Sequence, residues 1–298
     1  MKTETAIKDY LVEIEIKKYT AMTLKNYKNK LYAFNTFLIN EMDINTVDDL
    51  SFSCIKQYTH YSMKRGVKGS TINSNLKTIK SFIQYCYEEG YGGFNTTKVK
   101  FKWVKEEKPV VKAFSTRDVR KMLESTRGND FVSLRDTAIL TMFLETGIRA
   151  FELFNLKKEH IHDDYILIYG KNHKQRVVPI TPILRKALMR YERVKEVYFE
   201  NKLIASFFFV SNRGNKLSNG TVDAIIKKHG ASIEGVRVSA HTCRHFFAQQ
   251  QIKMGVDLYT ISRLLGHENI SITQIYLNSL QDDDILKIAR QNSVLMNM

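Results

Sequence analysis

The stretch HTCRHFFA at residues 241–248 places two ionisable side chains at helical spacing. His241 and Arg244 are three residues apart, so a helix would hold both on one face, about 5–6 Å apart at Cβ. A single H-x-x-R pair is more often a surface pair than a functional site. Its meaning therefore depends on which other reactive side chains accompany it along the chain.

Further candidates lie on both sides of this stretch. Upstream, TGIR at residues 146–149 puts Arg149 just after a predicted helix end, where the glycine lets the backbone turn. Downstream, Gly266 stands where a glycine usually ends a helix, and His267 follows it directly. Tyr276 comes nine residues after His267, inside a short predicted helix. Four such elements in one chain carry more weight than any of them alone.

The charge balance favours a polyanionic partner. The chain has 46 Lys and Arg against 31 Asp and Glu, a formal net charge of +15. Each phosphate that a cation neutralises releases condensed counterions, so such an excess is typical of nucleic-acid binding. A merely basic soluble protein is the alternative. An anionic membrane surface fits less well, because the lysines are spread through the chain rather than clustered.

The composition predicts a packed, soluble protein of the cytoplasm. With 43% hydrophobic residues the chain can form cores, and no apolar run is long enough to cross a bilayer. The first residues mix charges and lack the apolar stretch of a signal peptide. The three cysteines form no C-x-x-C pair, which fits a reducing compartment and argues against a zinc site.

The first 94 residues read as a four-helix domain. Apolar side chains recur at three- and four-residue steps in two stripes: Leu24, Tyr27, Leu31, Phe34 and Leu38, then Ile72, Leu76, Ile79, Ile83 and Cys86. Two shorter helices are predicted around 4–18 and 52–64.

Residues 95–113 interrupt this pattern with a lysine-rich stretch that Pro109 keeps from forming a long helix. A solvated linker and a basic strap along a phosphate backbone are both consistent with it. The lysines that would contact DNA in the second case are Lys98, Lys100, Lys102 and Lys105.

Residues 114–298 read as a second, mixed domain. A buried helix is predicted at 133–145, with a capping-box-like start at Ser133 and Asp136. Two short β runs, 165–169 and 176–180, predict a hairpin. Helices are predicted near 182–199, 220–229, 241–254, 257–265 and 271–278, and an amphipathic tail begins at Asp282. The expected fold is mainly α, with one small antiparallel β-sheet.

Five stretches in order carry a family resemblance: TGIRAFEL, IYGKNHKQRVVPI, HTCRHFFA, LLGHE and IY. Their order and spacing resemble the tyrosine recombinase (lambda-integrase-type) family, in a compact two-domain form. TAMTLKNY and GSTINSNL in the first domain are similar to that family's helical core-binding domain. The resemblance covers nearly the full chain.

The resemblance implies a role for each candidate. Tyr276 would attack the scissile phosphate and form a 3′-phosphotyrosyl link. Arg149 and Arg244 would bind the non-bridging oxygens, a bidentate match that lysine cannot make. The remaining roles fall to His267 as a further donor, His241 as acceptor or shuttle of the tyrosine proton, and Lys171 as general acid.

Some alternatives stay open. Lys174, also in the hairpin, is the second candidate for the general acid. The resemblance implies no metal and no ATP, and Glu152 is interpreted as structural support rather than a metal ligand. The implied partner is double-stranded DNA with specific sites, bound by a dimer at each site and a tetramer in the synapse.

Two other functions compete with recombination. A type IB topoisomerase shares the chemistry without synapsis, and a non-catalytic DNA-binding protein would share only the fold. Integration or excision of a mobile element, dimer resolution, transposition and inversion use the same chemistry, so the sequence leaves the biological role open. It also leaves open whether the tail docks on its own domain or on a neighbour.

Overall fold

The structure, a computed structural model, describes residues 1–98, 101–106, 112–170, 174–277 and 284–285. The chain divides into two compact units, Met1–Pro109 and Val110–Met298. The division falls inside the stretch predicted as a linker.

The first unit is built from four helices in its described part: α1 (Thr3–Ile16), α2 (Ala21–Met42), α3 (Phe52–Lys64) and α4 (Gly69–Glu88). The Thr20 side chain accepts a hydrogen bond from the Thr23 backbone at the start of α2. The predicted apolar stripes face inward, because Leu31, Phe34 and Leu76 are fully buried. These helices pack around a single core.

The described part of the lysine-rich stretch lies against this first unit. Phe101 is buried in the core, and Asn73 on α4 both donates to and accepts from the backbone of Val104 at 2.9 Å. Lys98, Lys102 and Lys105 are exposed, whereas Lys100 lies outside the described residues. The segment 101–106 is therefore irregular in conformation but held in place.

The second unit contains, in chain order, α5 (Thr116–Ser125), α6 (Phe131–Thr146), α7 (Ala150–Phe154), a 3-10 turn (Lys158–His160), β1 (Tyr165–Tyr169), β2 (Gln175–Pro179), α8 (Pro182–Tyr198), α9 (Asn219–His229), α10 (Ala240–Lys253), α11 (Leu258–Leu265) and α12 (Ser271–Gln274). The two strands pair antiparallel, with Tyr165 opposite Pro179 and Tyr169 opposite Gln175. The expectation of a mainly helical fold with one small hairpin is confirmed. Within the described ranges, each helix is too short or too polar to cross a bilayer.

Helix α6 is the centre of the second unit. It is buried along most of its length and packs against α8 and α10. The predicted start at Ser133 and Asp136 was wrong, because the cap is Asp130, whose carboxylate accepts from the backbones of Val132 and Ser133. Asp136 is instead buried inside the helix bundle, bonded to Arg135.

The chain segment that carries Tyr276 also differs from its prediction. The helix expected over 271–278 ends at Gln274, and Tyr276 lies in the turn that follows. Most of the predicted tail from Asp282 lies outside the described residues.

Candidate active site

Two helix ends meet at the site, and a glycine terminates each of them. Gly147 follows α6 with φ 59° and Gly266 follows α11 with φ 65°, the left-handed region that glycine adopts without strain. A Cβ on Gly147 would stand 2.7 Å from side-chain atoms of Phe247 and Leu265, so glycine is also required for space. The two helix ends can therefore approach α10 closely.

Arg244 on α10 joins these helix ends. Its guanidinium donates to the carbonyl oxygens of Gly147 and Leu265, each at 2.7 Å, and the residue is 3% exposed. Carbonyl groups at a helix C-terminus carry partial negative charge, which stabilises the buried cation. Burial and the charges of Arg149 and Arg176 lower the pKa of Arg244, but a guanidinium remains cationic at neutral pH.

Arg149 begins α7 and is held by a carboxylate on the same helix. Its Nη1 donates to Glu152 Oε1 at 2.9 Å, its backbone N–H donates to Glu152 Oε2 at 2.9 Å, and its Nη2 donates to the Gly266 carbonyl at 3.0 Å. The side chain is still 43% exposed. Arg149 is thus fixed in orientation while its guanidinium remains accessible.

Arg176 on β2 binds the same carboxylate. Its Nη1 and Nη2 donate to the two oxygens of Glu152 at 2.8 and 2.7 Å, and its Nε donates to the Leu264 carbonyl at 2.7 Å. Burial raises the pKa of Glu152, but the hydrogen bonds and charges of Arg176 and Arg149 outweigh it and hold that pKa below its ordinary value. Glu152 therefore stays ionised and organises both arginines.

Arg149, Glu152 and Arg176 line an open cleft of about 870 Å³. Its basic lining consists of Arg149, Lys174, Arg176 and Arg263, and His267 lines it as well. Cationic side chains converging on one cleft create a site for an anionic group such as a phosphodiester. Among the described residues, no three His, Cys, Asp or Glu side chains cluster as metal ligands would.

His267 is oriented by a buried hydroxyl. Its Nδ1 is hydrogen-bonded to Thr273 Oγ1 at 2.7 Å, and Thr273 is fully buried. Burial, with the charges of Arg244 and Arg149, lowers the pKa of His267 to about 4. The ring is therefore neutral at pH 7, and its Nε2 can act as a hydrogen-bond donor if Nδ1 accepts from Thr273.

Tyr276 is 1% exposed and packs in a small apolar cluster with Phe247, Ile261 and Leu265. Burial raises its pKa, while the charges of Arg244 and Arg149 and a hydrogen bond from Arg244 act in the opposite direction. The tyrosine hydroxyl is thus held next to one of the two arginines predicted to bind phosphate.

One histidine of α10 contacts this hydroxyl, and a second lies one turn earlier on the same helix. His245 Nδ1 is 3.0 Å from Tyr276 Oη. His241 is exposed, and its ring packs edge-on against His245 with 4.1 Å between centroids. Although the residue is exposed, the groups packed around its ring partly desolvate it, and with the charge of Arg244 this lowers the pKa of His241. His241 was predicted to accept or shuttle the proton of Tyr276. In the structure its neighbour His245 is the histidine that contacts the tyrosine hydroxyl.

Comparison with known proteins matches this arrangement to a family. Residues 112–282, more than half of the chain, match the model of the phage integrase family, and residues 7–90 match that of the phage integrase N-terminal SAM-like domain. The chain belongs to the phage integrase family of tyrosine recombinases.

Relatives and solved structures of the family extend over most of the chain. It is 31% identical to tyrosine recombinase XerC of Thermodesulfovibrio yellowstonii over 92% of this chain and 91% of that protein. It is 28% identical to tyrosine recombinase XerD of Staphylococcus aureus over 92% and 93%.

A lambda integrase dimer bound to a COC′ core site shares the fold, with a TM-score of 0.74 and 17% identity over 93% of this chain and 95% of that one. XerH site-specific recombinase bound to palindromic difH substrate gives a TM-score of 0.71 with 18% identity over 92% and 80%. At these identities the likeness concerns the fold alone.

Not every predicted residue of this phage integrase homologue can be placed. Lys171, the predicted general acid, lies outside the described residues. Lys174, the alternative, lines the cleft and makes an ion pair with Glu268 at 2.6 Å. The exposed Lys98, Lys102 and Lys105 belong to the first unit, whereas the cleft is formed by residues of the second.

Sequence reasoning missed two residues of the site, Arg176 and His245. Arg176 was within the quoted hairpin but was not singled out, since its meeting with Glu152 is a tertiary contact. A signal for His245 was present, because it follows His241 by four residues and so shares its helix face. Nothing local indicated that this face would meet Tyr276.

Proposed function

We propose that this chain is a site-specific DNA recombinase that cleaves and rejoins DNA through Tyr276. The observation that carries the proposal is the position of the Tyr276 hydroxyl, which is hydrogen-bonded to Arg244 while Arg149 and His267 line the adjoining basic cleft. A nucleophile beside a phosphate-binding arginine is what in-line attack on a phosphodiester requires.

In the first chemical step Tyr276 Oη bonds to phosphorus and the bond to the 5′ oxygen breaks. Charge gathers on the non-bridging oxygens in the transition state, where Arg149, Arg244 and His267 supply donors. The guanidinium groups are already fixed by carbonyl and carboxylate partners, so little reorganisation is needed when the phosphate binds. The product is a 3′-phosphotyrosyl link and a free 5′-hydroxyl.

Proton transfers complete the step. We assign protonation of the leaving 5′ oxygen to Lys171, with Lys174 as the alternative in the same hairpin. His241, exposed beside His245, is suited to exchange protons with solvent.

Because the phosphotyrosyl link conserves the energy of the broken bond, religation needs no ATP. The two arginines provide charge compensation of the kind that Mg²⁺ provides in other phosphoryl-transfer enzymes, so the proposal includes no metal or other cofactor.

The proposed substrate is double-stranded DNA with specific recombination sites. A dimer would occupy each site, and two dimers would form a tetrameric synapse in which strands exchange through a Holliday junction. The +15 net charge supports a DNA partner. We propose a cytoplasmic location for the chain, as for the DNA on which it would act.

The nucleophile is tested by Tyr276→Phe, which removes only the attacking oxygen. We expect the variant to bind a target site with wild-type affinity in a gel shift and to form no covalent adduct on a nicked suicide substrate. The wild-type chain should form an adduct that survives denaturant. Adduct formation by the variant would show that another side chain is the nucleophile, and its absence from the wild type would support a non-catalytic DNA-binding protein.

A further inference from the structure

His245 is the ring that touches the proposed nucleophile. Its Nδ1 lies 3.0 Å from Tyr276 Oη, and the two rings meet edge to face at a centroid distance of 5.3 Å. His245 stands one turn after His241 and directly after Arg244 on α10, a helix that is largely buried. The contact is therefore held by the packing of α10 rather than by a surface side chain.

The burial of Tyr276 favours a protein group over bulk water as the acceptor of its proton. The residue is 1% exposed, with Phe247, Ile261 and Leu265 around it. Bulk water has little access to a hydroxyl in such a site. Arg244, which also hydrogen-bonds to the hydroxyl, is a cation that can donate protons but cannot accept one.

We infer that His245 accepts the phenolic proton of Tyr276 during cleavage and returns it during religation. The inference rests on the proposed function and adds a catalytic residue to it. In cleavage the proton moves from Oη to Nδ1 as the oxygen–phosphorus bond forms and the 5′ oxygen leaves with a proton from the general acid. In religation the 5′-hydroxyl attacks phosphorus, and the departing phenolate takes the proton back from Nδ1.

The charge state of His245 agrees with this role. Burial, with the neighbouring His241 and Arg244, lowers its pKa to about 4, so the ring is neutral at pH 7 and has a lone pair for the proton. The same cations would make it a weak base. A phosphodiester bound between Arg149 and Arg244 brings negative charge to this region, which offsets their repulsion of an imidazolium. His245 would thus become more basic when DNA occupies the cleft.

The variant His245→Asn distinguishes two roles of His245, hydrogen bonding to the Tyr276 hydroxyl and accepting its proton. The side-chain amide of asparagine reaches the position of Nδ1 and can hydrogen-bond to Tyr276, but it cannot accept a proton near neutral pH. We expect single-turnover adduct formation on a nicked suicide substrate to slow by about 10²–10⁴-fold at pH 7. The logarithm of its rate should rise by about one unit per pH unit between about pH 6 and 9, since the phenolate must then form without a base.

His241→Asn is the matched comparison, because it makes the same change one turn earlier on the same helix. It should lower the rate while keeping the pH dependence of the wild-type chain. The inference is overturned if His245→Asn retains the wild-type pH dependence, or if the steep dependence occurs with His241→Asn instead. Failure of the wild-type chain to form any adduct would overturn the proposed function itself, and with it the inference.

A second variant of the same residue tests the inference independently of how His245→Asn folds. His245→Gln removes the Nδ1 contact with a different side chain, and DNA binding in a gel shift checks the fold of both variants. Replacing Tyr276 by 3-fluorotyrosine, whose phenol is more acidic, should accelerate either His245 variant by a larger factor than it accelerates the wild-type chain. An equal factor in all three chains would show that His245 only packs against the tyrosine.

Discussion

Glu152 prevents two arginines of the cleft from repelling each other. It is 4% exposed and accepts hydrogen bonds from the side chains of both Arg149 and Arg176. Arg176 is itself 10% exposed, so it depends on this carboxylate for neutralisation. The interpretation of Glu152 as structural support stays a prediction. The support would consist of orienting and neutralising the Arg149 and Arg176 side chains.

Glu152→Gln should destabilise the second unit, because the substitution preserves the shape of the side chain but leaves Arg176 buried beside Arg149 without a counter-charge. Breaking a buried ion pair on one side costs about 3–5 kcal/mol. The free energy of unfolding at pH 7, measured by urea titration, should fall by that amount. Glu159→Gln is the control, since Glu159 is 69% exposed in its pair with Lys157 and its loss should cost under about 1 kcal/mol.

The difference between the wild-type chain and Glu152→Gln should also depend on pH. The pKa of Glu152 is lower in the folded state than its ordinary value of 4.5, so its contribution to stability is fully present above that value. The contribution is lost as the pH falls through the folded-state pKa. The stability gap should therefore narrow in acid, and a gap that stays constant down to about pH 3 would contradict the assignment.

At the scale of single residues, motif order identified the candidates but not their partners. Arg149, Arg244 and His267 could be singled out because their spacing and neighbouring glycines are local features. That Arg244 would bond the ends of two other helices, or that His245 would meet Tyr276, depends on how α6, α10 and α11 pack. No single stretch of sequence contains that information.

The β-hairpin is connected to the loop after α11 by one exposed ion pair. Lys174 lies directly before β2, and Glu268 lies two residues after Gly266. The Lys174 Nζ and Glu268 Oε1 atoms are 2.6 Å apart, and the two side chains are 65% and 70% exposed. The hydrogen bond and charge of Lys174 lower the pKa of Glu268, which is therefore ionised at neutral pH. Its negative charge borders the cleft that is proposed to bind DNA and, unlike the buried charge of Glu152, is exposed.

Glu268→Gln should strengthen DNA binding, because it removes a charge that repels phosphates and releases Lys174 to neutralise one. The slope of log affinity against log salt concentration, measured by fluorescence anisotropy, should steepen by about 0.9. Glu192→Gln is the control, because it breaks the ion pair between Glu192 on α8 and Lys158, neither of which lines the cleft, and should leave the slope unchanged. The double variant Glu268→Gln, Lys174→Gln tests which group responds. If its salt slope equals that of Glu268→Gln alone, Lys174 is not the group that reaches the DNA.

At the scale of elements, periodicity predicted the long helices and the hairpin well. It did not predict α5 or the five-residue α7, whose start depends on the capping contact between Arg149 and Glu152. It also predicted that the helix beginning at residue 271 includes Tyr276, whereas the observed helix ends at Gln274. Short elements like these are decided by side-chain contacts and turns rather than by an apolar stripe.

For the whole molecule, composition predicted a DNA partner, and the order of motifs predicted the family. The boundaries 1–94, 95–113 and 114–298 stay a prediction. Within the middle range, residues 101–106 are fixed to the first unit through Asn73 and Phe101, so Lys102 and Lys105 are displayed on a held segment. Lys98 precedes that segment, and its backbone N–H donates to the Asn95 carbonyl at 3.3 Å. Lysine density could not reveal that attachment, because it arises from one amide and one aromatic side chain.

This attachment leads to a prediction about DNA affinity. Lysines on a fixed segment lose little conformational freedom when they bind, so they are suited to contact phosphates directly. Changing Lys98, Lys102 and Lys105 together to Gln should weaken binding to specific and nonspecific duplexes alike. The slope of log affinity against log salt concentration should fall by about 0.9 for each lysine that contacts a phosphate.

The control removes the same number of charges elsewhere. Lys8, Lys17 and Lys158 each form an ion pair with a glutamate, so their joint change to Gln should leave the salt slope as it is in the wild-type chain. An equal fall in slope for both triple variants would mean that only net charge matters. An unchanged slope for the first variant would mean that the three lysines remain hydrated in the complex, because a lysine that releases no counterion from DNA leaves no trace in the salt dependence.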